Sequence, residues 1–535
     1  MLVGLCQLNP TVGDLAANAD AIIGAYRTAA DAGARIAVFG ELAVCGYPPE
    51  DLVLKRQFLA DCRVQVERIA AATGDCTAIV GFPEQGADDG QRHNSAAVCR
   101  RGVVESIYRK QVLPTYDVFD EERWFEPGAP DQPLIEVDGV VVGVSICEDV
   151  WIPAGPMALQ KAAGAQLFVN LNASPFHEGR LLERTEMLLG RAEEVGGPVV
   201  YVNQVGGQDD LVFDGGSMVV APDGVRHRIA QFDEVVTVVD TEVPGDVAEP
   251  LDRSAEVWSA LVTGTHDYVT KNGFSDVVIG LSGGVDSSIV AAIAVDALGA
   301  DRVHGVLMPS RYSSDHSVSD AERLCERLGI ERRTIPIEEA HAAFRSMLAP
   351  SFEGTATGGP DLTDENLQSR VRGVTLMALS NKFGWMVLTT GNKSESAVGY
   401  STLYGDTAGA LAVIKDVYKL AVYELCRWRN RRGDGEIIPE SVLTKAPSAE
   451  LRPDQRDDQS LPPYEVLDPL LQAYVDGNST EAELVAAGHP PELVRRILRL
   501  VDIAEYKRRQ SPLGIRVMRT AFGRDRRVPI TNRYR

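Results

Sequence analysis

The stretch Val277–Val290, VVIGLSGGVDSSIV, joins a short apolar run to a glycine turn and the start of a helix. The backbone N–H groups of such a turn, together with the N-terminus of the helix that follows, form a site for an anion. The turn is not the GxxxxGK[ST] loop of many nucleotide-binding proteins. Apolar runs and amphipathic segments alternate from residue 255 onward, which predicts a parallel sheet with right-handed crossovers. The second half of the chain is therefore predicted to be an α/β domain with a phosphate site at this turn.

The turn supplies donors for phosphate and one carboxylate that needs a separate explanation. Gly283 and Gly284 allow the backbone to approach an anion, and Ser282 and Ser287 add hydroxyl donors. Asp286 would repel a phosphate, so we expect it to hold Mg²⁺ that is itself bound to the phosphates. A structural turn with an Asp or Ser cap would explain a generic Gly-Gly pair, but SGGxDS directly after a strand is more restrictive.

A second group of polar residues follows the apolar run WMVLTT, where another parallel strand is predicted to end. The group contains Thr390, Asn392, Lys393, Glu395 and Asp406. Open α/β sheets bind ligands at the carboxyl ends of their strands, so Glu395 is a candidate second Mg²⁺ ligand beside Asp286. Arg370 and Arg372 lie on a predicted helix start and are two residues apart, so they cannot both face one ligand.

The length of 535 residues predicts at least two domains, and 44% hydrophobic with 24% charged residues is ordinary for a globular protein. The first half also alternates short Val- and Ile-rich runs with amphipathic segments, as in ARIAVFGE, CTAIVGFPE and AQLFVNLNAS. The polar, acidic segment DTEVPGDVAEPLDRS at residues 240–254 is the predicted linker. The predicted domains are therefore residues 1–245 and residues 246–535.

The composition argues against several classes of function. A net charge of −23 disfavours binding to nucleic acid, although the C-terminal segments EYKRRQ and FGRDRRVPITNRYR are locally basic. We find no run of about 18 apolar residues and no signal-peptide features at the start, so neither membrane insertion nor secretion is expected. The eight cysteines form no CxxC pair, which disfavours zinc sites and disulfide frameworks and indicates a reducing cytoplasm.

Glu41, Lys110 and Cys147 each follow an apolar run in the first half and carry complementary chemistry. Each has an ordinary explanation by itself, because Glu41 could cap a helix, Lys110 could be solvated and Cys147 could fill the core. A cysteine nucleophile, however, needs a base that removes its proton and a cation that stabilises the oxyanion formed next. The three residues together are therefore a candidate catalytic set.

The motif SGGVDS, followed by GNKSES, YGD, KAPSAEL and LPPY, resembles the NAD synthetase family over most of residues 255–535. SGGxDS alone is similar to the pyrophosphate-binding loop of many ATP-dependent adenylating enzymes, so the later motifs carry the narrower resemblance. It implies a parallel-sheet αβα fold of the adenine nucleotide alpha hydrolase type, with ATP, Mg²⁺ and deamido-NAD⁺ as ligands. It assigns ATP contacts to Gly280, Leu281, Ser282, Gly283, Gly284, Val285, Asp286, Ser287, Thr390, Lys419 and Ser448. It assigns deamido-NAD⁺ contacts to Asn366, Glu395 and Lys507, and the metal to Asp286 and Glu395.

The chain order Glu, Lys, Cys in the first half resembles the carbon–nitrogen hydrolase (nitrilase) superfamily, whose fold is an αββα sandwich. That resemblance implies that Glu41 is the general base, Lys110 the oxyanion stabiliser and Cys147 the nucleophile. It matches Glu121 to a supporting glutamate, and it matches Tyr116, Ser174 and Arg180 to positions that hold a substrate glutamine. Serine and arginine suit that task because glutamine has a free carboxylate that needs hydrogen-bond donors.

The two resemblances together are those of the longer, glutamine-using members of the NAD synthetase family. They imply that ammonia released from glutamine passes through a dry channel to a second site, where adenylated deamido-NAD⁺ is converted to NAD⁺. They also imply a homo-oligomer, either a dimer or an octamer. The alternatives are a glutamine-fed enzyme acting on another carboxylate, an inactive ligand sensor and a tRNA-modifying enzyme. The downstream motifs, the presence of Cys147 and Asp286, and the acidic composition disfavour these in turn.

Overall fold

In the computed structural model the chain divides into two compact units, Met1–Glu256 and Val257–Arg535. The structure describes every residue except 89, 132, 355–360, 434, 447–449, 453–454, 456–460 and 535. No helix within this described part of the chain has the length and apolar character needed to cross a membrane. The predicted linker, residues 240–254, runs from the end of a strand at Asp240 to a helix that begins at Arg253.

The first unit consists of two six-stranded sheets, a two-stranded sheet and helices packed outside the larger sheets. Its strands are β1 (Leu2–Gln7), β2 (Ile36–Val38), β3 (Thr77–Gln85), β4 (Arg92–Arg100), β5 (Val103–Arg109), β6 (Ile135–Val137), β7 (Val140–Ile146), β8 (Leu167–Asn172), β9 (Val199–Asn203), β10 (Val205–Gln208), β11 (Leu211–Asp214), β12 (Met218–Ala221), β13 (Gly224–Arg228) and β14 (Val235–Asp240). Its helices are α1 (Leu15–Asp31), α2 (Arg56–Ala71), α3 (Pro156–Ala162) and α4 (Arg180–Val195), and α5 (Arg253–Lys271) begins at its end.

Three layers of apolar side chains show how these sheets and helices stack. The strand orders are β14-β1-β2-β3-β4-β5 and β13-β12-β9-β8-β7-β6, and β10 pairs with β11. Val3 and Leu5 of the first sheet share one core with Val169 and Leu171 of the second. The opposite faces pack against α1 and α2 on one side and against α3 and α4 on the other. Because side chains alternate between the faces of a strand, each sheet contributes to the shared core and to one outer core, and the predicted αββα sandwich is confirmed.

The second unit is built on a parallel sheet. Its strands are β15 (Val277–Gly280), β16 (Val303–Leu307), β17 (Glu331–Thr334), β18 (Met386–Thr389), β19 (Leu411–Ala412) and β20 (Leu513–Gly514). Its helices after α5 are α6 (Val285–Leu298), α7 (Asp315–Leu328), α8 (Glu338–Phe352), α9 (Thr363–Phe383), α10 (Lys393–Val398), α11 (Lys419–Asn430), α12 (Glu440–Thr444), α13 (Tyr464–Leu471), α14 (Glu481–Ala486), α15 (Pro491–Ile503) and α16 (Glu505–Arg508).

The strand order of this sheet places the glycine turn where a ligand site is expected. The order is β17-β16-β15-β18-β19-β20, and every pairing is parallel. The chain runs outward from β15 to β17 and then returns to β18 on the other side of β15, so the order reverses between β15 and β18. Open α/β sheets bind ligands at the carboxyl ends of the strands beside such a reversal. The predicted parallel-sheet fold is therefore confirmed, with SGGVDS at its reversal point.

The turn between β15 and α6 requires glycine for reasons of space as well as conformation. Gly283 has a φ of +75°, and a Cβ atom added there would lie 2.1 Å from the backbone oxygen of Ser317. A residue with a side chain would be strained at this positive φ, and its Cβ atom would clash with the backbone of Ser317. The close approach therefore fixes the turn against the start of α7, and α6 begins with its N-terminus facing the cavity described below.

Candidate active sites

The residues predicted to carry out glutamine hydrolysis come together from both sheets of the first unit. Lys110 directly follows β5, Cys147 directly follows β7, and Glu41 lies three residues after β2 ends at Val38. β2 and β5 belong to one sheet and β7 to the other, so the facing of the two sheets brings these strand ends together. The side chains of Glu41, Lys110 and Cys147 are 0%, 0% and 3% exposed, respectively.

Lys110 is held between two buried glutamates. Its Nζ donates to Glu41 Oε1 at 2.7 Å and to the Oε1 and Oε2 atoms of Glu121 at 2.9 and 2.8 Å. Burial alone would lower the pKa of Lys110, but the carboxylates of Glu121 and Glu41 raise it well above its ordinary value. Lys110 therefore stays charged in the interior, where a cation can stabilise a developing oxyanion.

Cys147 lies at a strained position that its neighbours fix. Its φ is +42°, which is unfavourable for a residue with a side chain. Asp149 Oδ2 accepts hydrogen bonds from the backbone N–H of Ile146 at 2.9 Å and from the hydroxyl of Tyr108 at 2.8 Å. These bonds hold the turn that presents the thiol at the end of β7. Burial, and then the charge of Glu41, raise the pKa of Cys147 well above its ordinary value, so the resting side chain is a thiol that needs a base.

Two residues that the sequence reasoning missed complete the environment of the glutamates. Asn94 Nδ2 donates to Glu41 Oε1 at 2.8 Å, and the hydroxyl of Tyr47 donates to Glu121 Oε1 at 3.0 Å. The backbone N–H of Ala173 also donates to Glu41 Oε2 at 3.1 Å. Asn94 is itself buried in β4 between His93 and Ser95, and polar residues inside a predicted strand are a signal that could have identified it.

Two of the residues predicted to hold glutamine, Tyr116 and Arg180, contact the turn that carries Cys147 or the residue directly after it. The hydroxyl of Tyr116 donates to both carboxylate oxygens of Glu148 at 2.9 Å. Arg180 stacks over the ring of Trp151, with its Cζ atom 4.3 Å from the ring centroid. Ser174 is 1% exposed, and its backbone N–H donates to Asn203 Oδ1 at 2.8 Å. Glu148, next to the nucleophile, is a further residue that the sequence reasoning passed over, and burial raises its pKa.

In the second unit a cavity of about 330 Å³ lies at the carboxyl ends of β15 and β18. The predicted residues that line it are Gly280, Leu281, Ser282, Gly284, Val285, Asp286, Ser287, Thr390, Glu395, Lys419 and Lys507. The cavity therefore combines the glycine turn and the N-terminus of α6 with residues from three later segments. Ser448 lies outside the described residues, and Gly283 and Asn366 are not among the residues that line the cavity.

Lys419 lies between the two carboxylates predicted to bind metal. Its Nζ forms a short ion pair with Asp286 Oδ2 and lies 3.2 Å from Glu395 Oε1. Asn392 Nδ2 donates to the other oxygen of Asp286 at 3.0 Å. Burial alone would lower the pKa of Lys419, but Asp286 and Glu395 raise it. The two carboxylates thus converge on one position that a positive charge already occupies.

This convergence fits a magnesium ion. Mg²⁺ is commonly bound by one or two carboxylates together with substrate phosphates and water. Asp286 and Glu395 supply two such oxygens beside the phosphate-binding turn. No group of three or more His, Cys, Asp or Glu side chains suited to a metal occurs in the described part of the chain. Asp286 and Glu395 are thus the residues that would hold the ion, beside the turn that would bind the phosphates.

The remaining predicted contacts surround Asp406. The backbone N–H of Thr402 donates to Asp406 Oδ1 at 2.8 Å, and the hydroxyl of Thr402 donates to Asn366 Oδ1 at 2.8 Å. Lys507 Nζ donates to the carbonyl oxygens of Gly399 and Ser401 at 2.8 and 2.7 Å. Burial raises the pKa of Asp406 to about 6. Asn366 and Lys507 therefore both contact residues 399–402, although only Lys507 reaches the cavity.

The two arginines of α9 face different ways, as their spacing predicts. Arg370 is exposed and donates to the carbonyl oxygen of Leu403 at 3.2 Å. Arg372 lines the cavity and donates to the carbonyl oxygen of Met308 at 3.1 Å. Burial lowers the pKa of Arg372 to about 10, and the charge of Glu450 opposes that change. Of these two arginines, Arg372 is thus the one that can act on an anion in the cavity.

Comparison with known proteins assigns a family to each half. Residues 2–249 match the carbon-nitrogen hydrolase family, and residues 257–511 match the NAD synthase family. The chain is 48% identical over 544 residues to the glutamine-dependent NAD(+) synthetase of Xylella fastidiosa, covering 100% of this chain and 99% of that relative. It is 44% identical over 575 residues to the protein of that name from Thermotoga maritima, with the same coverage.

A solved structure is similar over the same length. The glutamine-dependent NAD+ synthetase of Acinetobacter baumannii, in complex with ADP, matches with a TM-score of 0.80 and 40% identity, over 99% of this chain and 98% of that one. The similarity thus covers both units, in one order, in sequence and in structure. The chain belongs to the family of glutamine-dependent NAD(+) synthetases.

Proposed function

We propose that the chain makes NAD⁺ from deamido-NAD⁺, ATP and glutamine, with residues 1–245 as the glutaminase domain and residues 246–535 as the synthetase domain. The observation that carries this proposal is the presence of two different sites in one chain. A buried cysteine lies with a carboxylate and a cation in the first unit, and a phosphate-binding turn lines a cavity in the second. The first arrangement suits amide hydrolysis and the second suits adenylation.

In the first reaction the Cys147 thiol attacks the side-chain amide carbon of glutamine while Glu41 takes the thiol proton. The raised pKa of Cys147 explains why a base must act during the attack. Lys110 stabilises the oxyanion, Glu41 returns the proton to the amide nitrogen, ammonia leaves, and water then hydrolyses the thioester to glutamate. Glu121 holds the Lys110 ammonium in place through its two oxygens. Tyr116, Ser174 and Arg180 orient the substrate.

In the second reaction the nicotinate carboxylate of deamido-NAD⁺ attacks the α-phosphorus of ATP. Pyrophosphate leaves into the SGGVDS turn, where N–H groups and the α6 N-terminus offset its charge. Ammonia then displaces AMP from the acyl adenylate and yields NAD⁺. Bound Mg²⁺ would neutralise triphosphate charge next to Asp286 and Glu395. Thr390, Lys419 and Ser448 are the proposed further ATP contacts, and Asn366, Glu395 and Lys507 the proposed deamido-NAD⁺ contacts.

The test is a product assay with deamido-NAD⁺, ATP, Mg²⁺ and glutamine. We expect NAD⁺, AMP, pyrophosphate and glutamate in equal amounts. Xanthosine monophosphate and aspartate, the acceptors of related adenylating enzymes, should give no AMP. AMP formation with either acceptor and none with deamido-NAD⁺ would contradict the proposed substrate. An ammonia channel, a cytoplasmic location and assembly as a homo-oligomer are further predictions.

A further inference from the structure

The first turn of α5 contacts the turn that precedes α4, at the glutamine site of the first unit. Glu256 Oε1 accepts a hydrogen bond from the backbone N–H of Gly179 at 2.8 Å, and Glu256 is 6% exposed. Three residues earlier in α5, Arg253 Nε forms an ion pair with Glu178 Oε1 at 2.6 Å. Two side chains of one helix turn thus hold two consecutive residues of the turn before Arg180.

This turn lacks the cap that would normally fix it. Gly179 is the N-cap residue of α4, has a φ of +79° and provides no side-chain hydrogen bond. An N-cap is usually an extended residue whose side chain accepts from the first free N–H groups of the helix. The Glu256 carboxylate therefore orders this turn from outside. Arg180 is the next residue; its own N–H donates to the carbonyl oxygen of His177 at 2.9 Å, and the Glu256 contact fixes the residue directly before it.

The side chain of Arg180 is held by two contacts, so it has little freedom to compensate for a displacement of its backbone. Its guanidinium stacks on Trp151, which directly follows the Cys147–Val150 turn, and it also donates to Glu183 at 2.9 Å. A misplacement of about 1 Å can cost much of the effectiveness of a positioning group. The backbone at the start of α4 must consequently be fixed if Arg180 is to meet a substrate carboxylate beside Cys147.

A second set of contacts, made of hydrogen bonds and one ion pair, links the segment before α5 to the backbone at the start of α4. The backbone N–H of Leu251 donates to Gln231 Oε1 at 3.1 Å, and Gln231 Nε2 donates to Asp214 Oδ2 at 3.1 Å. The other Asp214 oxygen pairs with Arg184, whose Nε donates to the carbonyl oxygen of Arg180 at 3.4 Å. Arg253 and Glu256 in α5 are therefore linked to Glu178 and Gly179, and Leu251 before α5 is linked through this route to Arg180.

We propose that Glu256 is a positioning residue for glutamine, acting through Gly179 on Arg180. The inference rests on the proposed function, because it takes Arg180 as the residue that binds the glutamine carboxylate. It makes the first turn of α5 a part of the glutaminase site. The same helix continues to Lys271 and leads to the strand before SGGVDS, so glutamine binding depends on the segment that joins the two halves of the chain.

The experiment compares Glu256→Ala with Glu256→Gln in the full-length chain, and measures glutamate release against glutamine concentration. The alanine variant removes the acceptor, and we expect its KM for glutamine to rise about 3- to 10-fold, the range that one lost hydrogen bond produces. Its kcat should stay within about 2-fold of wild type, because binding is weakened equally in the ground and transition states. The glutamine variant keeps an acceptor for the Gly179 N–H, so its KM should be close to that of wild type.

Asp252→Ala is the matched control. Asp252 Oδ1 caps the same helix by accepting from the Ala255 N–H at 3.0 Å, and its described contacts do not include residues 178–180. If helix stability alone mattered, this variant would raise the KM for glutamine as much as Glu256→Ala does. We expect it to leave the KM unchanged.

An unchanged KM in Glu256→Ala would overturn the proposal, as would a fall in kcat without a rise in KM. A Glu256→Gln variant as impaired as Glu256→Ala would also overturn it, because the acceptor would not be the cause. Failure of the proposed function gives a different result, since wild type itself would then release no glutamate. Synthesis supported by ammonium chloride should be the same in all the variants.

Discussion

Both halves of the molecule place a buried lysine between two carboxylates. Lys110 lies between Glu41 and Glu121, and Lys419 lies between Asp286 and Glu395. In the first group the side chains of Lys110, Glu41 and Glu121 are 0%, 0% and 3% exposed. In the second, Lys419 is 3% exposed but both carboxylates are 18% exposed and line an open cavity.

This difference in exposure distinguishes a permanent ion group around Lys110 from an exchangeable ion group around Lys419. Charges that water cannot reach depend entirely on one another, so neither glutamate can lose Lys110 without a large cost. Carboxylates that face a cavity can instead be hydrated or can bind another cation. We infer that the first lysine serves a fixed oxyanion site, whereas the second occupies a position that a divalent cation and phosphates can share.

The largest expected effect comes from a substitution that removes the chemistry of the first region alone. Cys147→Ala should lower NAD⁺ synthesis from glutamine by about 10³-fold or more, because no other group replaces the nucleophile. Synthesis from ammonium chloride should remain within about 2-fold, since it bypasses that site. Both rates are measured as NAD⁺ formed. Loss of both activities would contradict the separation of the two reactions.

Asp286→Ala removes the exchangeable carboxylate in the second region. We expect NAD⁺ synthesis from glutamine and from ammonia to fall together by about 100-fold, because stabilisation of phosphate charge by a metal is worth several kcal/mol. Asp301→Ala, which changes an exposed aspartate just after α6, is the control and should have no effect. Ammonia-dependent turnover at the wild-type rate in Asp286→Ala would refute the metal role.

Lys110→Met tests whether the first ion group is permanent. The variant leaves Glu41 and Glu121 as buried carboxylates without a cation, which should destabilise the first unit by about 3–5 kcal/mol in urea unfolding. Adding Glu121→Gln to this variant should recover part of the loss. Lys55→Met, at an exposed lysine, should change the stability very little. A Lys110→Met variant as stable as wild type would remove the basis of the comparison.

The sequence predicted the local turns and strand ends of these two regions, but not the contacts between distant segments. The β15–α6 turn and the strand ends carrying Glu41, Lys110 and Cys147 are local patterns, because a strand, a turn and the next residues are contiguous in the chain. The ion pair between Asp286 and Lys419 joins residues 133 positions apart, and no local pattern encodes it. Such contacts depend on how helices and strands pack, which hydrophobic periodicity does not specify.

The same limit explains why the sequence did not locate Asn94 and does not specify the hydrogen-bond partner of Asn366. Asn94 can donate to Glu41 because β4 lies two strands from β2 in one sheet. The sequence of neither strand specifies this strand order. Asn366, a predicted contact of the dinucleotide, accepts a hydrogen bond from the hydroxyl of Thr402 and is not among the residues that line the cavity. The motif located Asn366 near the site, whereas its side-chain direction depends on the 399–402 segment.

The smallest expected effect concerns the exchangeable group. Lys419→Met should destabilise the second unit by only about 1 kcal/mol, less than the change at Lys110, because water reaches both carboxylates. Millimolar Mg²⁺ without nucleotide should then raise the melting temperature of this variant by about 2–4 °C, since the ion replaces the lost charge. Wild type should respond less, because its lysine already fills the position. Glu395→Gln added to Lys419→Met should abolish the magnesium response. An equal magnesium response in wild type and Lys419→Met would mean that lysine and metal do not share one position, and the second ion group would then be as permanent as the first.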